Sequence, residues 1–354
     1  MNSGNGMIKV LVVEDSPVAA ELLVHILNSD PDITVVGTAR NGLEAIELVA
    51  RDKPDVVTMD IIMPKMDGLE ATRRIMETKP VPIVVVSASL VREEVDKTFL
   101  ALEVGAVAAL EKPRASDLGS RGSEAEKLIE VVKLMSQVKV VRRWKKAEPA
   151  PKKEPAKDAI PTPQLPGREF KVVAIGASTG GPAVLNSIFS SLSEGFPVPI
   201  LVVQHIAPGF AAGFVEWLNR ASPLAVHLAR DGEIARAGSI YVAPDGRQMK
   251  IGPNLAVTLT DEGPDTGLKP SVAYLFRSVA ESFGAKAVGI LLTGMGRDGA
   301  DDLKLMRDKG AVTIAQDKES SVVYGMPGEA AKIGAARYSL PPNKITDLLR
   351  GLVK

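Results

Sequence analysis

The sequence predicts an α/β protein in two domains, and three observations carry that prediction. Continuous apolar runs alternate with helix-patterned stretches in both halves, as buried parallel strands and their crossover helices do. Between the halves, residues 142–168 change abruptly to a Pro- and Lys-rich composition. Chemically reactive residues recur just after the apolar runs, where a parallel sheet places its ligand site.

The bulk composition narrows the function classes. A chain of 354 residues holds about two domains of ordinary size. Lys+Arg and Asp+Glu are both 43, so no net charge draws it to nucleic acid or anionic lipid. The absence of Cys excludes disulfides, thiolate catalysis and Cys-ligated zinc, and three His argue against a His-rich metal site. No apolar run approaches the ~18 residues of a spanning helix, and the opening Met1–Gly6 is too short and polar for a signal peptide. The expectation is a soluble cytoplasmic protein with no nucleic-acid partner and no membrane insertion.

In the first half, Ile8–Val13, Ile33–Val36, Val56–Met59, Ile83–Val86 and Val107–Leu110 read as strands, with helices over Val18–Leu27, Leu43–Val49 and Leu69–Met76 between them. Five βα units make a doubly wound sheet. Glu14 and Asp15 follow the first strand, Asp60 the third, Ser87 the fourth and Lys112 the fifth. Converging carboxylates repel and invite a hard divalent cation, which suits Mg²⁺. Phosphoryl transfer to a carboxylate needs that cation and further donors, which Lys112 and Ser87 supply. Solvated loop acids are the plain alternative for any one of these residues, but not for all five together. His25 falls in the first helix and has no chemical role.

Residues 142–168 hold six Pro and eight Lys/Arg against three acids, without apolar periodicity. Trp144 is the one aromatic there, so the stretch reads as a solvated tether rather than a binding element. Beyond it, Lys171–Ile175, Ile200–Gln204 and Val288–Leu292 read as strands, and a helix starts near Pro182. Ser178 lies in the turn Gly176-Ala177-Ser178-Thr179-Gly180-Gly181, at the start of that helix, where free N–H groups favour developing negative charge. As a dinucleotide loop the hexapeptide lacks its middle glycine, and no acid ends the next strand. An α/β-hydrolase order of Ser, acid, His would need Glu194, in a polar loop, or Glu216, on a solvated helix face, before His227. His227 alternates as a strand residue. The remaining arrangement puts Ser178, His205 and Asp298 after three strands of one sheet, with His205 as general base and Asp298 orienting it. The backbone N–H groups of Thr179 and Met295 are placed to hold an oxyanion. The plain alternative for Asp298 is an N-cap of the helix at Ala300.

Two resemblances follow from these residues. Met7 to about Val141 resembles a response-regulator receiver, which implies Asp60 as phosphoacceptor, Glu14, Asp15 and Asp60 as Mg²⁺ ligands, Ser87 and Lys112 as phosphoryl sensors, and a cis Lys112–Pro113 bond. Ala109 stands where receivers commonly place Phe or Tyr. GASTGG, the Gln204-His205 pair, TGMGRDGA and the run Val323–Ala330 resemble the catalytic domain of chemotaxis protein-glutamate methylesterases (CheB). With receiver and linker in the same order, the likeness covers nearly the whole chain. It implies a (βα)5 receiver over 7–141, a linker over 142–168 and a three-layer α/β/α catalytic domain with a mostly parallel sheet over 169–354. The implied triad is Ser178, His205 and Asp298, with Thr179 and Met295 on the oxyanion side and no cofactor for the esterase reaction.

The implied substrate is the glutamate methyl ester of chemoreceptor cytoplasmic helices, with receptor glutamine deamidation as a further activity. The implied phosphodonor is the histidine kinase of a chemosensory array, whether for flagellar chemotaxis or another pathway. The unphosphorylated receiver is expected to occlude the Ser178 edge. Gln248, Lys269 and Ala273 depart from residues frequent in that family. The competing classes are a receiver with a silent, binding-only output domain and an acyl-transfer enzyme or amidase with another substrate.

Overall fold

The computed structural model describes residues 7–87, 92–117, 123–138, 140, 169–262 and 268–351. The expected linker at 142–168 lies outside them. The chain divides into two compact units, Met1–Pro155 and Ala156–Lys354.

The first unit alternates β1 (Ile8–Val13), α1 (Pro17–Asn28), β2 (Ile33–Ala39), α2 (Gly42–Asp52), β3 (Val56–Met59), α3 (Gly68–Thr78), β4 (Ile83–Ser87), α4 (Arg92–Val104), β5 (Ala108–Glu111) and α5 (Glu124–Met135). Its strands pair in parallel in the order β2-β1-β3-β4-β5. This is the doubly wound sheet expected, and the order reverses between β1 and β3, where Glu14 and Asp60 emerge. The sequence marks the helix starts: the side chains of Ser16, Asn41 and Asp67 accept backbone N–H groups at the N-termini of α1, α2 and α3. Val10–Val13, Val56, Val57 and Ile83–Val86 are buried, each worth about 1.5–3 kcal/mol against exposure. The Lys112–Pro113 bond expected to be cis is not; the cis bond among the described residues is Lys269–Pro270. Trans is the intrinsically favoured isomer, and in it Lys112 already reaches both Glu14 and Asp60.

The second unit runs β6 (Val172–Ala177), α6 (Gly181–Phe189), β7 (Ile200–Gln204), α7 (Ala211–Ala221), β8 (Ala225–Leu228), β9 (Ser239–Val242), β10 (Gln248–Ile251), β11 (Val257–Thr260), α8 (Val272–Phe283), β12 (Ala287–Leu291), α9 (Ala300–Asp308), β13 (Val312–Gln316), α10 (Met326–Lys332), β14 (Tyr338–Leu340) and α11 (Pro342–Arg350). Seven strands form one sheet in the order β14-β13-β12-β6-β7-β9-β8, and every pair is parallel. The antiparallel pair β10–β11 stands apart. Both faces of the sheet are covered. Val172, Ala174, Leu201 and Val203 join one core cluster with Leu275, Phe276, Leu303 and Met306 of α8 and α9. The alternate residues Val173, Ile175, Ile200 and Val202 are equally buried, and α6 packs with α7 and α11. Three layers result. The edge strand β8 is closed to further pairing at Val226, whose N–H and C=O both bond the Asn219 carboxamide.

Gly68 has a steric duty. A Cβ there would lie 1.9 Å from the carbonyl oxygen of Asp60, so the loop after β3 closes only without a side chain. Gly68→Ala is expected to lower the unfolding transition of the first unit by about 1–3 kcal/mol. Calorimetry of the full chain reads this, the transition of the second unit serving as internal control.

Candidate active site and switch site

Strand order builds the candidate active site. β6 lies between β12 and β7, so Ser178 after β6 is flanked by Asp298 from the loop after β12 and His205 at the end of β7. The turn after Ser178 closes with Gly181 N–H donating to Ser178 O at 2.8 Å. Gly180 ends it in the left-handed region (φ 79°) as the N-cap of α6, with no side-chain cap. Gln204, buried beside His205, donates through Nε2 to the carbonyls of both Ser178 (2.9 Å) and His205 (2.8 Å). One amide thus ties the Ser178 turn to the histidine.

His205 Nε2 lies 2.9 Å from Asp298 Oδ2. Asp298 does cap a helix, but α8 rather than α9. Its Oδ2 accepts from Val272 N–H (2.7 Å), and its Oδ1 from Ala273 N–H (3.1 Å) and the Ser271 hydroxyl (2.9 Å). Burial pushes the Asp298 carboxyl up, but the His205 contact and the helix N–H groups outweigh it and hold it below the ordinary value. The Ser178 hydroxyl makes no hydrogen bond to His205 among the described residues; such bonds are often long without substrate and tighten with it.

The oxyanion-side residues are brought to the same edge. Ser178 N–H donates to Thr293 O (3.0 Å), and the Thr293 hydroxyl donates to Thr179 O (3.0 Å) and accepts from Val323 N–H (2.9 Å). Gly294 N–H bonds Val323 O, and Gly325 and Met326 N–H bond Gly294 O, so the 323–330 segment fixes the loop carrying Met295. Among the described residues the Thr179 and Met295 N–H groups take no hydrogen bond. Gly294 must be glycine, because a Cβ would meet Ser178 Cβ at 2.7 Å.

Four partners had no role assigned from the sequence. Gln204 and Gln316 each end a buried strand, the same signal that marks His205; Gln316 Oε1 accepts from Thr293 N–H (2.9 Å). Ser271, the N-cap of α8, and Gln248, which opens β10, meet their partners across distant sequence, and nothing local reveals those roles. Of the alternatives, Glu194 is exposed and Glu216 is half-buried on α7, not fully solvated. His227 sits on β8 with its ring edge-on to Tyr241, centroids 4.4 Å apart, and His25 is exposed on α1.

In the first unit, Glu14, Asp15 and Asp60 offer oxygens within 4.8 Å of one another. Lys112 Nζ reaches Glu14 Oε2 (2.7 Å) and Asp60 Oδ2 (2.9 Å). Burial pushes the Glu14 carboxyl up, Asp60 adds to this, and Lys112 offsets only part. Burial pulls the Lys112 ammonium down, but Glu14 and Asp60 hold it above its usual value. Ser87 is fully buried, and its carbonyl accepts Lys112 N–H (2.8 Å). Three hard oxygens with Asp15 exposed fit a hydrated Mg²⁺.

Fold and site together describe a class: a three-layer α/β unit with Ser178, His205 and Asp298 at the ends of adjacent strands, carried in one chain with a doubly wound unit that holds an acidic cluster. A model of the response regulator receiver domain matches residues 10–120, and one of the CheB methylesterase matches residues 173–349. Similar proteins include a protein-glutamate methylesterase/protein-glutamine glutaminase of Nitrosospira multiformis, 54% identical over 98% of this chain and 97% of the relative. One from Syntrophus aciditrophicus is 55% identical over 97% of each. The crystal structure of the Thermotoga maritima CheB methylesterase catalytic domain is 37% identical, with TM-score 0.50, covering 52% of this chain and 99% of that one. The chain belongs to the CheB methylesterase family and is by that membership a receiver-linked protein-glutamate methylesterase. No helix among the described residues is long and apolar enough to cross a membrane.

Because the Asp298 carboxyl is held below its ordinary value, the stability it contributes is present in full above about 3.9. That contribution is lost as pH falls through the lower folded value. Asp298→Asn is therefore expected to lower the melting temperature of the second unit at pH 7, with the gap to wild type closing as pH falls below the ordinary carboxylate value and through the lower folded one. Thermal scans at pH 7 and across the acid range check this.

Proposed function

We propose that this protein hydrolyses glutamate methyl esters on the cytoplasmic helices of chemoreceptors, releasing methanol, and that phosphorylation of Asp60 regulates the reaction. The observation that carries the reading is the His205–Asp298 contact beside Ser178, at the ends of three adjacent parallel strands. Asp298 occupies Nε2, so Nδ1 is the nitrogen left to take the Ser178 proton. Ser178 Oγ attacks the ester carbonyl, and the Thr179 and Met295 N–H groups stabilise the oxyanion. His205 then returns the proton to the departing methoxide, and methanol leaves. Water, deprotonated by His205, cleaves the acyl-enzyme and restores Ser178 with a glutamate product. Asp298 stays ionised throughout and stabilises the imidazolium. An amide substrate passes through the same acyl-enzyme with ammonia leaving, which supports a glutaminase activity as in the relatives' names.

In the receiver, Glu14, Asp15 and Asp60 would hold Mg²⁺, which when bound neutralises phosphoryl oxygens. Asp60 accepts the phosphoryl group from a chemosensory histidine kinase, and Lys112 and Ser87 engage its remaining oxygens. The domain bounds fitting this reading are 7–141, 142–168 and 169–354, in a cytoplasmic protein. Ala109 offers no aromatic ring to move with Ser87, so the conformational signal travels by another route.

Methanol release from methylated receptor membranes tests the reaction. Ser178→Ala is expected to reduce it at least about a thousandfold, and a small-molecule phosphodonor to raise it in wild type but not in Asp60→Asn. No release from folded wild type on several receptors would favour a binding-only output. Separately, Mg²⁺ at about 100 times its Kd should stabilise the receiver transition by about 2.7 kcal/mol. Asp15→Asn should diminish that shift in calorimetry.

A further inference from the structure

Gln248 is a fully buried polar side chain with no part in the reaction above. It opens β10, and its carboxamide spans the turn that leads into α8. Nε2 donates to Leu268 O (2.7 Å), and Oε1 accepts from Ser271 N–H (2.8 Å). Ser271 is the N-cap residue of α8 in extended conformation (φ −113°, ψ 135°), yet its side chain does not cap its own helix. The hydroxyl donates instead to Asp298 Oδ1, and Asp298 itself takes the N–H groups of Val272 and Ala273. Three donors thus grip the carboxylate: one on Ser271, the end of the turn that Gln248 clamps, and two on the residues immediately after it.

We propose that Gln248 is a positioning residue for Asp298. By fixing Leu268–Ser271 it sets the socket at the start of α8, and through it the direction in which Asp298 meets His205. This rests on the reading of Ser178, His205 and Asp298 as the reacting set. The chemistry explains why a carboxamide serves. One planar group supplies a donor and an acceptor at this reach, whereas an ionised Glu offers acceptors alone and faces the Leu268 carbonyl. An apolar residue leaves both backbone groups buried without partners. Being neutral, Gln248 also adds no charge beside the carboxylate it places.

The test uses the full-length protein and the small number of histidines, three in the chain. The low-field proton on His205 Nε2 is identified by proton NMR as the signal missing from Asp298→Asn. In Gln248→Leu this proton is expected to move upfield or be lost to exchange. Ester-hydrolysis kcat should fall about tenfold, the rate equivalent of losing one buried hydrogen-bonded pair, with KM within about twofold. In an Asp298→Asn background the same substitution should have no further effect on kcat, because the path it acts through is already cut. An unchanged low-field proton with a loss matching the unfolded fraction overturns the proposal, as does an equal loss in both backgrounds. If Gln248→Leu does not fold, Gln248→Glu, closer in shape, is read by the same criteria. Lack of ester turnover in wild type would count against the proposed reaction alone, since the proton signal still decides the role of Gln248.

Discussion

A carboxylate withdrawn from water costs several kcal/mol unless donors replace its hydration. The Asp298 carboxylate meets that requirement with four: the His205 ring, two backbone N–H groups of α8 and the Ser271 hydroxyl. The start of α8 is thereby tied to the loop after β12, and that loop to the end of β7. The positive end of the helix dipole adds to the direct bonds. The arrangement of the candidate active site follows from this one capture. β6 lies between the two strands that Asp298 and His205 bridge, so the Ser178 turn is placed by the sheet itself.

The two units solve opposite electrostatic problems on similar parallel sheets. In the catalytic unit a single acid is neutralised by fixed donors, and its carboxyl is held low. In the receiver three acids converge with one ammonium between two of them, and Glu14 is pushed up. The first arrangement is complete without a ligand. The second leaves residual repulsion that a hard divalent cation would relieve.

The sheets were legible because parallel strands buried on both faces read as continuous apolar runs. Ile8–Val13, Val56–Met59 and Ile200–Gln204 fall where their composition puts them, to the residue. The placement of the candidate site residues was legible for a related reason: a polar side chain directly after such a run sits at the sheet's carboxyl edge. Gln204 and Gln316 carry that same mark, but an amide has no titration to draw notice. Short half-exposed strands such as β11 have too few residues for periodicity. Gln248 and Ser271 were invisible in their roles because each meets a partner 20 or more positions away in the chain. The isomer of Lys112–Pro113 was misread from the resemblance; the ion pairs of Lys112 form without a cis bond.

Three of the four bonds to Asp298 come from the start of α8 and its N-cap Ser271 and owe nothing to the imidazole. Losing His205 would therefore leave the acid still paired, with the helix still anchored to the sheet. Under the proposed reaction, turnover and architecture hang on separate bonds. In evolutionary terms, that reading puts this domain a single substitution from a catalytically silent descendant that keeps its fold.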